Sequence, residues 1–315
     1  MNMKICYDNR DEKRQGTHRP LGDDRFEEAR THRIRPIAVK SILFASFFLA
    51  CFAIPFLSRA ATLYEISDGS VKGLYYLNSD STFLNDSSGN GNTLTNTGTV
   101  TSTAGPIAGL GAALANGTDY LHTTGNILSN ATNTSIAFWV NVTSTSQHGY
   151  MLCNGTCDST NGWGFAQGNT DSGNSGSNLI VRDTAVGPHV IQSLSRATWY
   201  FVVVTISPTS VFNVYVNGSN VKTFTQSFPL ATTPFAIFAD GAGDRIFPTG
   251  NAIAEPMITN NVLTQAQITA MYNGGSGVEV CTTAGCASTG GSPITGVTVG
   301  GNVMLQVKGG ELFVQ

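Results

Sequence analysis

Apolar and polar residues alternate most regularly over Asn133–Val142, where Ile136, Phe138, Val140 and Val142 interleave with Ser135, Ala137, Trp139 and Asn141. A period of two over this length predicts a strand with one face in a core. Its β-branched and aromatic residues suit a pleated, half-buried surface. Strand signals precede it at Val71–Leu77, Gly109–Leu114 and Asp119–Thr123, and follow it at Asn178–Arg182 and His189–Leu194. Between these lies a Ser-, Thr-, Asn- and Gly-rich stretch, 144–176, with apolar islands at Tyr150–Leu152 and Trp163–Phe165. Thr198–Ile206 is almost continuously apolar, as expected of a strand covered on both faces.

The clearest local signal is Val211–Val216, Asn217-Gly218, Ser219–Thr225. Asn-Gly supplies the two positive φ angles of a type I′ turn, so this predicts a hairpin. Phe235–Ala239 and Asn251–Thr259 add two strands, with Pro256 marking an edge or a bulge. Only Thr264–Tyr272 reads as helix: Thr264 and Gln267 make a capping box, Ile268 and Met271 share a face, and Gly274 ends it. Many short strands divided by turn signals, with one terminal helix, predict an all-β antiparallel sandwich over about 62–275.

Composition changes the picture at the ends. Residues 1–60 hold 11 Lys and Arg against 7 Asp and Glu, whereas 61–315 hold 6 against 13. The acidic body repels phosphate backbones, which argues against a nucleic-acid partner. Residues 1–36 are charged and aperiodic and are read as disordered or as a misannotated extension. Within 37–60, the apolar run Ile42–Leu57 follows Arg30, Arg33, Arg35 and Lys40 and is closed by Ser58-Arg59-Ala60. That order is a secretory signal, bacterial in form, or an uncleaved anchor; 16 residues with Pro55 inside fall short of the roughly 20 of a spanning helix. Cys51 sits inside the run and reads as part of it rather than as an acylation site. The chain is thus expected at the cell surface or secreted, touching a membrane only through this segment. Residues 276–295 read as a Gly/Ser/Thr linker, and 296–315 as a β-rich tail that folds into small hairpins.

In an exported protein, the close pairs Cys153/Cys157 and Cys281/Cys286 predict two local disulfides. The alternative is a four-thiolate zinc site, against which the spacings are long and the pairs far apart.

The succession GLYYLN, DSSGNGN, GLGAALANGTDYL, SIAFWVNV, TWYFVVVTIS, VYVNG and EPMITNNVLTQAQITAMYNGG, over Leu74–Gly275, resembles the laminin G-like modules of the concanavalin A-like lectin/glucanase superfamily. The resemblance implies a jelly-roll of two curved antiparallel sheets. It departs where relatives carry Asp-Glu and this chain has Ala254-Glu255.

Because the superfamily includes glucanases, hydrolysis must be weighed. The carboxylate triplet of that branch, Glu-x-Asp-x-x-Glu, is missing; Glu65…Asp68 and Glu255 do not reproduce it, and Asp240 and Asp244 read as a solvated turn. His122, His148 and His189 are scattered, and neither a Gly-x-Ser-x-Gly elbow nor a nucleotide loop is present. The sequence therefore points to a non-enzymatic module binding glycan or a surface protein. The alternatives are a structural or adhesive component without a small ligand and, third, a glycan-active hydrolase. Trp163, Tyr150 and Asn161 are the expected ligand contacts, an aromatic face beside amide donors. Trp139 and Trp199 are expected in the core. Asp86, Asn90 and Asn92 offer oxygens for Ca²⁺, against the simpler reading that they hold their own turn. On this reading, N-terminal sequencing of exported protein should begin near Ala61, whereas an intact Met1 would mark an anchor.

Overall fold

The computed structural model describes residues 63–128, 132–157, 161–168, 176–183, 187–227, 233–282, 305–308 and 311–314. The N-terminal segments, and Cys286, lie outside these. The described chain opens with β1 (Leu63–Glu65), β2 (Val71–Leu74), β3 (Thr95–Thr97), β4 (Thr101–Ala104), β5 (Gly111–Leu114) and β6 (Tyr120–His122). The central strands are β7 (Thr134–Asn141), β8 (Gly149–Thr156), β9 (Asn161–Gly168), β10 (Asn178–Asp183), β11 (Gly187–Ser193) and β12 (Trp199–Ile206). Then come β13 (Val211–Val216), β14 (Ser219–Thr225), β15 (Phe235–Ile237) and β16 (Ala252–Thr259). Helix α1 (Gln265–Tyr272) follows, then β17 (Glu279–Cys281), β18 (Leu305–Lys308) and β19 (Glu311–Val314).

Two large sheets result. One has the order β11-β10-β9-β8-β15-β6-β3; the other runs β14-β13-β12-β7-β16-β5-β4, with β2 also on β16. Their pairings are antiparallel, so this is the jelly-roll sandwich that the sequence predicts. The main core lies between the sheets. Phe138 of β7 meets Phe165 of β9 edge-on at 4.7 Å, and Trp163 of β9 meets Phe212 of β13 edge-on at 5.6 Å. Such aromatic pairs add to the burial of their area.

The expectation that β7 is half-buried needs correction: Thr134–Val140 are all buried. Ile136, Phe138 and Val140 enter the main core, while Ala137 and Trp139 belong to a second cluster on the outer face of the same sheet. Helix α1 covers that face with Ile268 and Met271, and its Tyr272 stacks on Trp139 and Phe201 at 6.0 and 6.4 Å. Thr264 caps α1 through the predicted capping box, and Asn273 closes it in the left-handed conformation. Strand β12 is double-faced as predicted, with Val202 and Val204 in one cluster and Phe201 and Val203 in the other. Trp199, expected in the core, is only half-buried at the start of β12, packed against the second cluster.

The β13–β14 hairpin turns at Asn217 (φ 51°) and Gly218 (φ 79°), as its sequence requires. The bulge at Pro256 is equally real. The register of β16 on β7 slips between Ala254, opposite Trp139, and Met257, opposite Ala137. The missing Pro256 N–H costs no ladder bond there, and its carbonyl accepts the Tyr75 N–H.

Part of the stretch read as a linker, 276–282, is structured. Glu279–Cys281 pairs in parallel with Leu63–Glu65, Val278 and Val280 are buried in the second cluster, and Cys281 is buried as well. A flexible-looking composition is overridden here by apolar residues at alternate positions that find a hydrophobic face. Tail strands β18 and β19 pair with each other. Ending the chain at Gly277 should therefore lower the melting temperature, because it removes Val278 and Val280 from the second cluster; an unchanged value in a thermal scan would return this segment to the linker.

Candidate functional site

The bulge in β16 lies beside a concavity on the module's surface. Before the bulge, Ala252 and Ile253 pair with β5; after it, Met257, Ile258 and Thr259 pair with β2. One edge of β16 is thus handed from one neighbour to another, and the chain that leaves β2 passes beside the start of β5. Leu77 takes a positive φ of 55° there. The approach is close: a Cβ on Gly111 would lie 2.2 Å from the Leu77 carbonyl oxygen, so only glycine fits. The Gly111 N–H donates to Asn78 Oδ1, and Ser102 Oγ donates to the Leu77 carbonyl.

Beside this crossing opens a groove of about 780 Å³, within the range of small-molecule clefts. One wall is Tyr76, Asn78, Asp80, Thr82, Asn85 and Ser87; the other is edge strand β4 (Ser102–Ala104) with Gly109–Gly111. The walls are fixed from behind. Tyr76 Oη donates to the Val280 carbonyl at 2.8 Å, which orients its ring, and burial pushes its phenol above the usual range. Asp80 accepts both the Thr82 hydroxyl and the Thr82 N–H, and these bonds, the hydroxyl first, hold its carboxyl below the ordinary range. Among the described residues, no Lys, Arg or His lines the groove.

The first wall ends in the predicted Asp86–Asn92 turn. Asp86 Oδ1 accepts the N–H groups of Leu74 and Ser88, and Oδ2 accepts that of Asn92. The Asn90 and Asn92 amides donate to the Val71 and Lys72 carbonyls. These three residues clamp the turn onto β2. That is the self-bonding role weighed against calcium, and the described residues contain no group of three or more His, Cys, Asp or Glu able to hold a metal.

The expected ligand contacts fall elsewhere. Trp163 is 2 % exposed and lies between the sheets, so it offers no open face for a sugar to stack on; this corrects the sequence reading. Its Ser/Asn/Gly surroundings suggested a loop, but it lies in β9, paired with Asn154 of β8. Tyr150 points to the opposite side of its sheet and is also buried, in a small cluster with Cys153, Cys157, Ala166 and Ile180. Asn161 opens β9, and its side chain lies outside the described ones. Cys153 and Cys157 are bonded to each other, which excludes a zinc site made of all four thiolates. Cys281 is disulfide-bonded too, while its expected partner Cys286 is outside the described residues. Asp240 is buried rather than solvated. Its Oδ1 accepts the N–H groups of Ala242 and Asp244, and desolvation raises its carboxyl above the usual value.

Apart from Asp86, the groove residues went unrecognised because they come from two segments that only the crossing brings together. The available signal was Gly109-Leu110-Gly111 beside the polar run Asn78-Ser79-Asp80.

Residues 115–269 match a laminin G-type family model of the concanavalin A-like lectin/glucanases superfamily. No curated protein matches the sequence. Among solved structures, the chain is similar to domain 4 of a GH43 extracellular arabinanase from Geobacillus stearothermophilus, in complex with arabinotriose. The identity is 20 %, 64 % of this chain and 97 % of that one are covered, and the TM-score is 0.49. It is also similar to the botulinum neurotoxin serotype D binding domain (16 % identity, 65 % and 52 % covered, TM-score 0.49). A third is the binding domain of Paraclostridial Mosquitocidal Protein 1 (12 %, 65 % and 52 %, TM-score 0.48). The chain spans about half the length of the last two.

Truncating Trp163 to alanine should cost about 3–5 kcal/mol, as for other buried aromatic residues. In a domain of this size that lowers the melting temperature by roughly 6–20 °C. A change of a degree or less would place the ring at the surface after all.

Proposed function

We propose that this module is an exported, non-enzymatic binding domain that recognises glycan or protein at the cell surface, and that the groove between Asn78–Ser87 and Ser102–Gly111 is its recognition site. The observation that carries this reading is the groove itself: a concavity whose walls mix hydroxyl, amide and carboxylate groups with Tyr76, Ala104 and Leu110, held in place by a glycine crossing and back-side hydrogen bonds. Walls that combine apolar surface with fixed polar groups bury a ligand and orient it by hydrogen bonding. Asp80 and Asp86 supply negative charge with no cation among the described lining residues, which favours neutral, hydroxyl-rich ligands over sulfated or uronic acid chains.

The same carboxylates speak against hydrolysis. A glycosidase needs a general acid whose carboxyl is held above its ordinary value, opposite a second free carboxylate. Asp80 is shifted the other way, and Asp86 is occupied by three backbone N–H groups.

Two substitutions test the site. Asn85 is exposed, and Asn85→Ala removes an amide from the wall; Ala104 is exposed on β4, and Ala104→Trp fills the groove. On an array of neutral and acidic glycans, the wild type should bind neutral chains, and both variants should lose at least about tenfold in affinity, some 1.4 kcal/mol. Their melting temperatures should stay within a degree or two. Binding that survives both variants would move the site, and failure to bind glycan or any surface protein would favour a purely structural module.

A further inference from the structure

Glu255 and Glu279 are the two buried glutamates among the described residues, at 5 % and 3 % exposure, and they are close enough for the charge of Glu279 to act on Glu255. Glu255 sits in the β16 bulge at φ 46°, a left-handed conformation that a non-glycine residue holds only when its surroundings enforce it. What it holds is β17: the Val280 N–H donates to Glu255 Oε1 at 2.7 Å. The Val280 carbonyl accepts Tyr76 Oη. Both backbone groups of Val280 are thus gripped by side chains, one from the bulge and one from the groove wall. Two residues on, Thr282 Oγ1 donates to the carbonyl of Ser87, another wall residue, at 3.4 Å.

Among the described residues, the charges that act on this grip are all of one sign: Glu255 feels Glu279 from β17, Tyr76 feels both carboxyls, and no described cation contributes to either glutamate. Glu65, on the paired strand β1, stands opposite Cys281 and is exposed. Two carboxylates buried side by side without a cation cannot both ionise without strong repulsion and desolvation cost.

We propose that the segment Val278–Thr282 is a proton-dependent latch on the groove: it stays docked while Glu255 or Glu279 carries a proton, and it detaches when both ionise, releasing Tyr76 and Ser87. This rests on the groove being the recognition site, and adds that its shape responds to pH. Burial raises both carboxyls above the ordinary glutamate value, Glu255 the more strongly. The sign follows. A carboxyl whose folded value is raised stabilises the docked form below its unfolded value, and that stability is lost as pH climbs through the folded one. The latch is therefore closed in acid and opens with rising pH above the ordinary glutamate range.

Hydrogen exchange on the full module, without ligand, tests this from pH 5 to pH 9, with rates corrected for base-catalysed chemical exchange. Protection at residues 278–282 and 63–66 should fall by roughly tenfold or more across the range, since each pH unit between folded and unfolded values is worth a factor of ten. Protection at 76–87 should fall with it. Glu279→Gln keeps the shape but cannot ionise, and should flatten the dependence. Glu255→Gln, which retains an acceptor for the Val280 N–H, should do the same. Protection independent of pH in the wild type, an unchanged slope in both variants, or loosening of 278–282 without a change at 76–87 would each overturn the latch. Because no ligand is used, the latch can fail while glycan binding at the groove stands, and loss of glycan binding would leave the exchange result untouched.

Discussion

Burial of both faces of β7 is the constraint on which the architecture depends. A strand whose alternate side chains are Ile136, Phe138, Val140 on one side and Ala137, Trp139 on the other cannot be left with a wet face. The inner face is satisfied by the opposing sheet. The outer face needs a second cover, and a flat sheet offers none of its own. Helix α1 supplies part of it and the β1–β17 pair the rest, which is why segments at both ends of the module are drawn onto the same surface. Close packing leaves little room there: a Cβ on Gly277 would fall 2.5 Å from Ile107 and 3.1 Å from Trp139.

The bulge at Glu255-Pro256 is the second device, and it links cover to groove. Slipping the register lets β16 pair with β5 at one end and β2 at the other. The gap between those partners becomes the groove, and the displaced residue becomes the side chain that fastens β17. The hydrogen bond to Val280 is made by Glu255, the residue the bulge displaces. Strain, fold and candidate site thus converge on two residues, as is common where irregular backbone is retained.

What the sequence determined by itself was everything local. Period-two alternation marked most of the strands, Asn217-Gly218 set a hairpin, Thr264 and Gln267 capped a helix, and Pro256 announced a bulge. The seven-part order of motifs pointed to the jelly-roll. These signals are legible because backbone preference and side-chain periodicity act over a few residues. Short polar strands escaped: β3 and β4, reading Thr-Asn-Thr and Thr-Ser-Thr-Ala, carry no apolar alternation and are strands only because β6 and β5 offer them partners.

Only the tertiary structure decided which apolar residue faced what. Trp163 and Tyr150 share an apolar island pattern and look equally suited to a ligand, yet one fills the space between the sheets and the other is buried on the far side of its sheet. Alternation says that faces differ, not which face another sheet or helix will cover. The same holds for β17, whose apolar residues stand in a linker-like stretch until the second cluster gives them a surface. It holds most strongly for the groove, whose walls lie some 25 to 30 residues apart and meet because Gly111 admits the Leu77 carbonyl. Local chemistry wrote the elements; the need to bury both faces of one strand, and the one bulge that bends its neighbour, placed them.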